Sequence, residues 1–359
     1  MEETMKNLRS LFITLILSLM IVCNAYSIEL KNIVLFGDSL SDDGNLFSFN
    51  EGLYPLAPYY KGRFSDGPVW FEYLAEEIGV TGMTLNYAHA GATSGRTNEN
   101  DDLDPSKEFP GFLDEVDAYL AVAAASKNYP GAFAMPKDTL FIIWIGANDF
   151  WGVTGPEDAA ARIKQATTNI QNALLQLIEA GASKFLVINL PDLGKLPKYN
   201  KDTTGSVGAT QLTAGYNNAL GQVASGVKAL YPDINIENLD AFSILGEFID
   251  NADTYGFANI EDTKFNTQDR SVAEGNYMFW DDVHPTTFSH KIIAKKIVNA
   301  INCENCKSTM TPYFENGLTL KIPSAKLGDN SYSFTLVPYP NPTEDGHFWS
   351  LDMNSIEVK

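Results

Sequence analysis

The sequence is poor in basic residues, with 25 Lys and Arg against 45 Asp and Glu and a formal net charge of −20 over 359 residues. Proteins that bind nucleic acid neutralise its phosphates with clustered Lys and Arg. The charge balance therefore argues against a nucleic acid partner, while it favours solubility. A hydrophobic content of 45% and an aromatic content of 12% indicate a globular chain rather than a disordered one.

No apolar run reaches the roughly 20 residues with which a helix spans a bilayer. The run Leu11–Cys23 follows Lys6 and Arg9 and precedes small residues, which is the pattern of a secretory signal peptide. We predict a signal peptide over residues 1–27 and an exported protein, secreted or held in the periplasm or at the cell surface. A membrane anchor, or a lipid anchor at Cys23, is the weaker alternative.

Cysteine is also rare, with three in the chain. Cys23 belongs to the predicted signal peptide, and Cys303 and Cys306 form a single C-x-x-C. A zinc site would need a second C-x-x-C or a nearby His pair, so we expect no metal, and we expect no cofactor. In the oxidising compartment that export implies, Cys303 and Cys306 are expected to form a local disulfide.

Short apolar runs rich in β-branched residues recur along the chain. They are continuous rather than alternating, which is typical of strands buried on both faces of a parallel sheet. A further strand end is predicted where "NYAHAGATSG" (86–95) runs into a Gly-rich turn. The other predicted strands are residues 32–36, 139–145, 184–190 and 234–239.

Helical patterns alternate with these strands, over residues 68–79, 156–181 and 284–301. The second begins with Pro and acidic residues and ends at Gly181, which are helix start and stop signals. The alternation predicts an α/β fold with helices on both faces of a mostly parallel sheet. We predict one such domain over residues 28–302. Residues 303–359 alternate between apolar and polar and predict a short β-rich tail.

Polar residues follow the predicted strands in four separate loops. In an open parallel sheet, ligands bind beyond the carboxyl ends of the strands. This edge is predicted to gather a hydroxyl, a glycine, a side-chain amide, a carboxylate and an imidazole. They belong to Ser39, Gly91, Asn148, Asp281 and His284.

This set of residues suits acyl transfer. A serine hydroxyl becomes nucleophilic when an adjacent base removes its proton, and His284 is the candidate base for Ser39. Asp281, three residues earlier, can turn back to orient the imidazole. The oxyanion needs preorganised donors, each worth roughly 3–4 kcal/mol, and the candidates are the N–H groups of Ser39 and Gly91 and the amide of Asn148. A side chain at Gly91 would crowd the reacting carbonyl.

The same loops carry a family resemblance. "FGDSLSDDGN", "NYAHAGATSG", "IGANDF" and "DDVHP" resemble, in this order, the four sequence blocks of the GDSL lipases and esterases, also called SGNH hydrolases. The segment 62–79 is similar to the one that follows the first block in the lipolytic branch. The resemblance covers about residues 30–300 and departs at Ala90, where many members have a second glycine. Alanine adds only a methyl group there.

The resemblance implies a flavodoxin-like, three-layer α/β/α fold and a carboxylic ester hydrolase. It implies Ser39 as nucleophile, Asp281 and His284 as the other triad members, and Gly91 and Asn148 as oxyanion donors. The branch is similar to bacterial secreted phospholipases, lysophospholipases and acyltransferases, so a lipid acyl ester is the implied substrate, with transfer to an alcohol left open. The expected partners are a lipid or small ester and, transiently, a membrane or micelle surface. A monomer is favoured.

Rival residues stay open within the site. Asp282 is adjacent to Asp281, Asp240 follows a predicted strand, and Asp38 precedes the serine and is expected to fix the turn. The segment 42–45 is interpreted as a turn that leaves the sheet edge, because the EF-hand pattern does not fit there. The G-x-S-x-G elbow of the α/β-hydrolases is absent around Ser39, which indicates a different scaffold with the same chemistry. The other histidines are His89, His290 and His347.

Other functions also stay open. A metal-dependent phosphoesterase would need more ligands than Asp38, Asp281, Asp282 and His284 supply. A carboxylesterase for short-chain or carbohydrate esters would use the same chemistry. A non-catalytic surface or carbohydrate-binding protein could keep the fold and use the aromatic-rich segment 52–64 for binding.

Overall fold

The computed structural model describes residues 32–78, 80, 83–126, 136–266, 268 and 270–302, and four strands between 313 and 358. The predicted signal peptide, Cys303, Cys306 and His347 lie outside the described residues. The chain divides into two compact units, Met1–Val298 and Asn299–Lys359. Each unit is described by itself.

A five-stranded parallel sheet forms the centre of the first unit, with the strand order β2-β1-β3-β4-β5. The pairing of β1 with β3 runs from Asn32 opposite Thr139 to Gly37 opposite Trp144. All four apolar runs predicted as strands are found, and the glycine block follows the short β2. The strands are β1 (Asn32–Gly37), β2 (Thr84–Asn86), β3 (Thr139–Trp144), β4 (Lys184–Ile188) and β5 (Asn235–Leu239).

Helices cover the sheet. Those predicted over 68–79 and 156–181 are confirmed as α2 and α4 within two residues. The third was predicted to begin at His284 but begins at Thr287, because the His284 carbonyl accepts the Trp280 N–H at 2.7 Å in a turn. The helices are α1 (Asn45–Phe49), α2 (Trp70–Ile78), α3 (Phe112–Ala125), α4 (Pro156–Glu179), α5 (Pro197–Asn200), α6 (Thr203–Leu230), α7 (Ala241–Asp250), α8 (Ala252–Tyr255) and α9 (Thr287–Asn302).

Side chains on both faces of the sheet are buried, which explains the continuous apolar runs. Val34 and Phe36 of β1 belong to a core that also contains residues of α3, α4 and α6. Their neighbour Leu35 points to the opposite face, because alternate strand residues do so, and it is fully buried as well. On that face Trp144 contacts Trp70 of α2, with 5.7 Å between ring centroids. The three-layer α/β/α architecture is thereby confirmed.

Two smaller sheets accompany the central one. β6 (Asn259–Thr263) and β7 (Tyr277–Phe279) form a parallel pair that leads into the loop with Asp281. In the second unit an antiparallel sheet has the order β11-β10-β9-β8, as the alternating pattern of the tail predicts. Its strands are β8 (Tyr313–Glu315), β9 (Thr319–Leu327), β10 (Asn330–Pro338) and β11 (Trp349–Val358).

The strand order fixes where a ligand binds. β1 has β2 on one side and β3 on the other, so the order reverses direction at β1. In doubly wound sheets the crevice at such a switch point, beyond the carboxyl ends of the strands, is the ligand site. Ser39 follows β1 and Asn148 follows β3, so both lie at the mouth of this crevice.

Candidate active site

The structure brings together the three residues predicted to form a triad. His284 Nε2 lies 2.8 Å from Ser39 Oγ, although the two residues are 245 positions apart. His284 Nδ1 lies 2.8 Å and 2.9 Å from the two carboxylate oxygens of Asp281. An imidazole placed between a hydroxyl and a carboxylate can remove the hydroxyl proton and be stabilised as a cation.

Asp281 is held in the anionic form that this arrangement needs. Its Oδ1 accepts the backbone N–H groups of Val283 and His284 at 3.0 Å and 2.9 Å, and the Tyr59 hydroxyl donates to Oδ2 at 2.7 Å. Burial alone would raise the pKa of Asp281, but His284, the backbone donors and Tyr59 outweigh it and hold the pKa below its ordinary value. Sequence reasoning missed Tyr59, which belongs to the aromatic-rich segment 52–64.

The rival acids and histidines make other contacts. Asp282 is exposed, and Asp240 caps α7 by accepting the Ser243 N–H. His89 Nδ1 lies 2.8 Å from the Tyr87 carbonyl oxygen. His290 is buried inside α9, where burial lowers its pKa to about 3. The hydrogen bond to Ser39 Oγ comes from His284, and the carboxylate bonded to His284 Nδ1 is that of Asp281.

Gly91 sits in a peptide that is fixed from both sides. The Ala90 N–H donates to Asp42 Oδ2 at 2.7 Å, and the Ala90 carbonyl accepts Nδ2 of Asn98 and of Asn100 at 3.1 Å and 2.8 Å. Because this carbonyl and the Gly91 N–H belong to one planar peptide, the two asparagines also fix the direction of that N–H.

The need for glycine at position 91 has a local cause. Its φ is +81°, and an added Cβ would lie 2.2 Å from Asn100 Nδ2 and 2.4 Å from Asn98 Oδ1. Room for the substrate carbonyl is the reason for this glycine that the sequence suggests. The structure adds the left-handed backbone and the two asparagines as reasons.

Asn148 is buried and held at both ends of its amide. Its Nδ2 donates to the Ala92 carbonyl at 3.0 Å, and its Oδ1 accepts the Trp151 indole N–H at 2.8 Å. An amide nitrogen carries two hydrogens, so one remains for a ligand. Ser39, Gly91 and Asn148 all line one cavity, as a shared role at an oxyanion requires.

Comparison with known proteins now identifies the family. Residues 33–297 match the model of the GDSL-like lipases and acylhydrolases. The chain belongs to this family. Membership confirms the resemblance found in the four sequence blocks and places the protein among the carboxylic ester hydrolases.

The relatives of this GDSL hydrolase include one whose name states action on a phospholipid. Phosphatidylcholine-sterol acyltransferase of Aeromonas hydrophila is 28% identical over 76% of this chain and 91% of that protein. Thermolabile hemolysin of Vibrio parahaemolyticus is 27% identical over 76% of this chain, and the chain spans 64% of that protein's length. Among solved structures, an acetylxylan esterase from Geobacillus stearothermophilus is 13% identical, with a TM-score of 0.40 over 76% of this chain and 94% of that one.

The acidic loop after the serine holds neighbouring backbone segments of the site in place through hydrogen bonds. Asp42 is fully buried and accepts the backbone N–H groups of Gly44, Asn45 and Leu46 at 2.7, 2.6 and 3.1 Å, in addition to that of Ala90. Asn45 Nδ2 donates to the carbonyls of residues 86 and 88. The chain therefore turns over residues 42–44, as predicted, and Asn45 already begins α1. The segment 42–45 also ties the serine loop to the glycine block.

Two further buried carboxyl groups lie beside the serine loop. Glu115 of α3 accepts the N–H groups of Gly37 and His89, each at 2.9 Å, and so joins the end of β1 to the glycine block. Burial raises the pKa of Glu115 to about 7, against the opposing effect of His89 and the backbone donors. Burial likewise raises the pKa of Asp38 to about 7. Asp38 fixes the turn as expected, because its Oδ1 accepts the Leu40 N–H at 3.1 Å.

Ser39 and His284 line a cavity of about 220 Å³ that is otherwise largely apolar. Trp144, Ile188 and Leu239, the last residues of β3, β4 and β5, all contribute to its lining. The lining residues from α7 are apolar. Ser289 of α9 also lines the cavity, but its hydroxyl donates to the Met278 carbonyl at 2.6 Å. The other apolar lining residues include Ala241, Ile244, Leu245, Phe248, Met278, Phe279 and Ile293.

Metal-dependent chemistry has no ligand set in the described residues. No group of three or more His, Cys, Asp or Glu side chains is arranged there to hold an ion. The phosphoesterase alternative therefore lacks a site in this part of the chain. In the same residues, no helix combines the length and the apolar character needed to cross a membrane.

Proposed function

We propose that this GDSL hydrolase cleaves acyl esters of lipids, as a lysophospholipase or a phospholipase of the A type. Ser39 is the nucleophile, His284 the general base and Asp281 the carboxylate that orients it. The observation that carries the proposal is the apolar cavity lined by the reacting hydroxyl. An acyl chain needs such a cavity, and a sugar does not.

The reaction follows from the hydrogen bonds. Ser39 Oγ attacks the ester carbonyl and passes its proton to His284 Nε2, while Asp281 stabilises the imidazolium. The oxyanion accepts the N–H groups of Ser39 and Gly91 and the free hydrogen of Asn148 Nδ2. The imidazolium then protonates the leaving alcohol and leaves an acyl-enzyme. Water, deprotonated by His284, releases the fatty acid and regenerates the serine.

The strand order gives the span between two lining residues of the cavity, Ser39 and Leu239. From Ser39 beyond β1 to Leu239 at the end of β5 there are three strand spacings, together about 14 Å at ~4.8 Å each. An extended chain advances roughly 1.2 Å per bond, so the path takes on the order of ten bonds. Each buried methylene contributes about 0.8 kcal/mol, so an acetyl group would leave most of the available binding energy unused.

Observations outside the active site support two further parts of the proposal, the phospholipid acyl donor with an alcohol acceptor and the export of the protein. The relative named phosphatidylcholine-sterol acyltransferase supports a phospholipid acyl donor and makes an alcohol acceptor worth testing beside water. The apolar run Leu11–Cys23 behind Lys6 and Arg9 supports export, since it has the pattern of a signal peptide. N-terminal sequencing of the protein found outside the producing cells tests the cleavage near Ile28.

A lipid panel tests the substrate. Purified protein is incubated with phosphatidylcholine, lysophosphatidylcholine, triglyceride and acetylated xylan, with and without cholesterol, and the products are separated by mass spectrometry. We expect fatty acid from a phospholipid or lysophospholipid, and sterol ester when an alcohol competes with water. Turnover confined to acetyl esters would contradict the lipid assignment and favour the short-chain or carbohydrate esterase.

Two serine variants test the chemistry in the same panel. Ser39→Ala should abolish turnover of every ester, including a water-soluble p-nitrophenyl ester, while the fold survives. Ser48→Ala is the matched control, because Ser48 is exposed on α1 and its hydroxyl donates to the Gly44 carbonyl in the same turn. Undiminished turnover by Ser39→Ala would overturn the nucleophile assignment.

A further inference from the structure

Exposed apolar side chains are concentrated in one short loop of the first unit. In the part of the chain that the structure describes, ten large hydrophobic side chains are exposed, and four of them lie within residues 49–56. Leu53 and Leu56 are 66% and 61% exposed. We call residues 49–56 the apolar loop. A concentrated apolar patch of this kind marks an interaction surface rather than ordinary scatter. The four residues are Phe49, Leu53, Tyr54 and Leu56.

The apolar loop is continuous with the active site. The ring of Tyr54 lies 5.6 Å from that of Phe64, and Phe64 lies 5.0 Å from the imidazole of His284. Phe64 also lines the cavity. A few residues beyond the apolar loop, Tyr59 donates to Asp281. Whatever surface covers Leu53 and Leu56 therefore lies beside the route to the reacting serine.

Hydrogen bonds hold the apolar loop in a defined shape. The Gly52 N–H donates to the Phe47 carbonyl at 2.7 Å, and the Leu53 N–H donates to the Asn50 carbonyl at 3.0 Å. Just beyond the loop, the Arg270 guanidinium donates to the Ala57 carbonyl. The leucines are thus presented outward by a fixed turn, and their exposure follows from the backbone.

Most of the cations around the apolar loop are paired with carboxylates, and the loop does not share the strong negative charge of the whole chain, which is −20. Three of these cations each have a carboxylate partner at 2.8 Å, whereas Arg270 donates to the Ala57 carbonyl and Lys61 lies over the Tyr60 ring. An anionic surface would be repelled by the chain as a whole, and a cationic one would meet the exposed cations Lys61 and Arg270 near the apolar loop. An interface with no net charge fits best. The pairs are Arg63 with Glu72, Lys107 with Glu51, and Lys264 with Asp66.

We infer that the apolar loop docks the enzyme on a zwitterionic lipid surface, with Leu53 and Leu56 inserted among the lipids and the cavity mouth beside them. The inference rests on the proposed lipid-ester function, because docking serves catalysis only if the substrate lies in the lipid surface. Binding itself does not depend on catalysis and can be measured alone. Transfer of apolar side chains from water into the interface supplies the affinity.

The binding test uses vesicles of diether phosphatidylcholine, which contain no ester and cannot be hydrolysed. The double variant Leu53→Ser with Leu56→Ser is compared with the parent protein by co-sedimentation. The matched control is Val207→Ser with Leu230→Ser, because these side chains are 51% and 70% exposed on α6. All three proteins carry the same N-terminus, so any affinity of the run Leu11–Cys23 cancels in the comparison.

We expect the apolar-loop variant to lose vesicle binding by about tenfold or more, and the control to bind as the parent does. On a monomeric, water-soluble ester the apolar-loop variant should keep the parent's kcat/KM, while its hydrolysis of ester-linked phosphatidylcholine vesicles falls in proportion to binding. Equal binding by all three proteins would overturn the docking surface. So would a dimer in sedimentation velocity that only the apolar-loop variant loses, since a second copy would then be the occupant.

The same measurements separate this inference from the proposed function. If the parent binds diether vesicles through the apolar loop but hydrolyses no lipid ester, docking stands and the substrate assignment fails. If lipid esters are hydrolysed and the apolar-loop variant binds and hydrolyses vesicles like the parent, the substrate assignment stands and docking fails.

Discussion

The phenol of Tyr59 donates a hydrogen bond of 2.7 Å to Oδ2 of Asp281, across 222 positions of sequence. With it, each carboxylate oxygen of Asp281 bonds both the imidazole and at least one other donor. The carboxylate cannot rotate without breaking several of these bonds. Tyr59 is therefore a positioning residue that acts on Ser39 through Asp281 and His284.

Tyr59→Phe should lower kcat by about tenfold, the equivalent of ~1.4 kcal/mol for a hydrogen bond to a charged group. KM for a water-soluble ester should change little, because the phenol does not reach the substrate. Tyr60→Phe is the control, since it removes a neighbouring hydroxyl that lies outside the triad's hydrogen bonds. A rise in KM with kcat unchanged would show that Tyr59 binds the substrate instead.

Asn148→Ala should lower kcat by about 10²–10³ with a modest change in KM, because it removes a donor that acts on the transition state. The second variant is Trp151→Phe, which replaces the indole by a smaller phenyl ring and so removes the N–H that the Asn148 carbonyl oxygen accepts. It should cost much less. Equal losses in the two variants would mean that Asn148 matters for the packing of Trp151 rather than as an oxyanion donor. Steady-state kinetics on a p-nitrophenyl ester measure both.

The sequence was sufficient for those parts of the fold and site that depend on local pattern. The runs at β1, β3 and β4 are apolar without interruption, so burial on both faces could be inferred. Asp281 and His284 are three residues apart, which lets one turn bring the carboxylate to the imidazole. Ser39 and Asn148 were placed correctly because each directly follows a strand of a parallel sheet.

Other features depend on contacts that no local pattern encodes. The α6 helix was not predicted, because Gly205, Gly208, Gly215, Gly221 and Gly226 lie within it and glycine costs about 1 kcal/mol in a helix interior. Packing of its buried side chains, among them Tyr216, Leu220 and Val227, outweighs that cost. The spacing of the core side chains in α3 did carry a helical signal. They are Phe112, Val116, Tyr119 and Ala123.

The supporting residues of the site were missed for a related reason. Glu115 lies in α3, which was not predicted. The role of its buried carboxylate can be recognised only when the two N–H donors, those of Gly37 and His89, are known to lie nearby. Asp42 was interpreted as part of a turn, which is correct, but its bond to the Ala90 N–H crosses 48 positions. The roles of Asn98 and Asn100 likewise cannot be recognised from the sequence, because they depend on contacts with the Ala90–Gly91 peptide.

Asp38 should make the stability of the protein depend on pH. Burial raises its pKa in the folded state from 3.8 to about 7, so the folded state holds the proton more tightly than the unfolded state does. The resulting stabilisation is full below the unfolded pKa and is lost as pH rises through about 7. The free energy of unfolding should therefore fall by on the order of 2–4 kcal/mol between about pH 4 and pH 8 on account of this group.

Asp38→Asn tests this pH dependence by urea unfolding over that range. The amide keeps an oxygen for the Leu40 N–H and has no proton to lose, so the decline with pH should become shallower. Glu115 has a raised pKa with the same sign, so some decline should remain. An unchanged slope in Asp38→Asn would show that Asp38 has an ordinary pKa in the folded protein.

Ala241 and Phe248 of α7 both contribute to the lining of the cavity. Ala241→Leu places a larger side chain in the cavity wall and should shorten the space for the acyl chain. Phe248→Leu places a smaller side chain there and should lengthen that space. The preferred chain length in a series of p-nitrophenyl esters should therefore move to shorter chains in the first variant and to longer chains in the second. Hydrolysis of the shortest ester should change little in either, because an acetyl group stays near Ser39 and does not reach α7. If both variants shifted the whole series equally, the acyl chain would lie outside this cavity, and α7 would act on activity only through the stability of the fold.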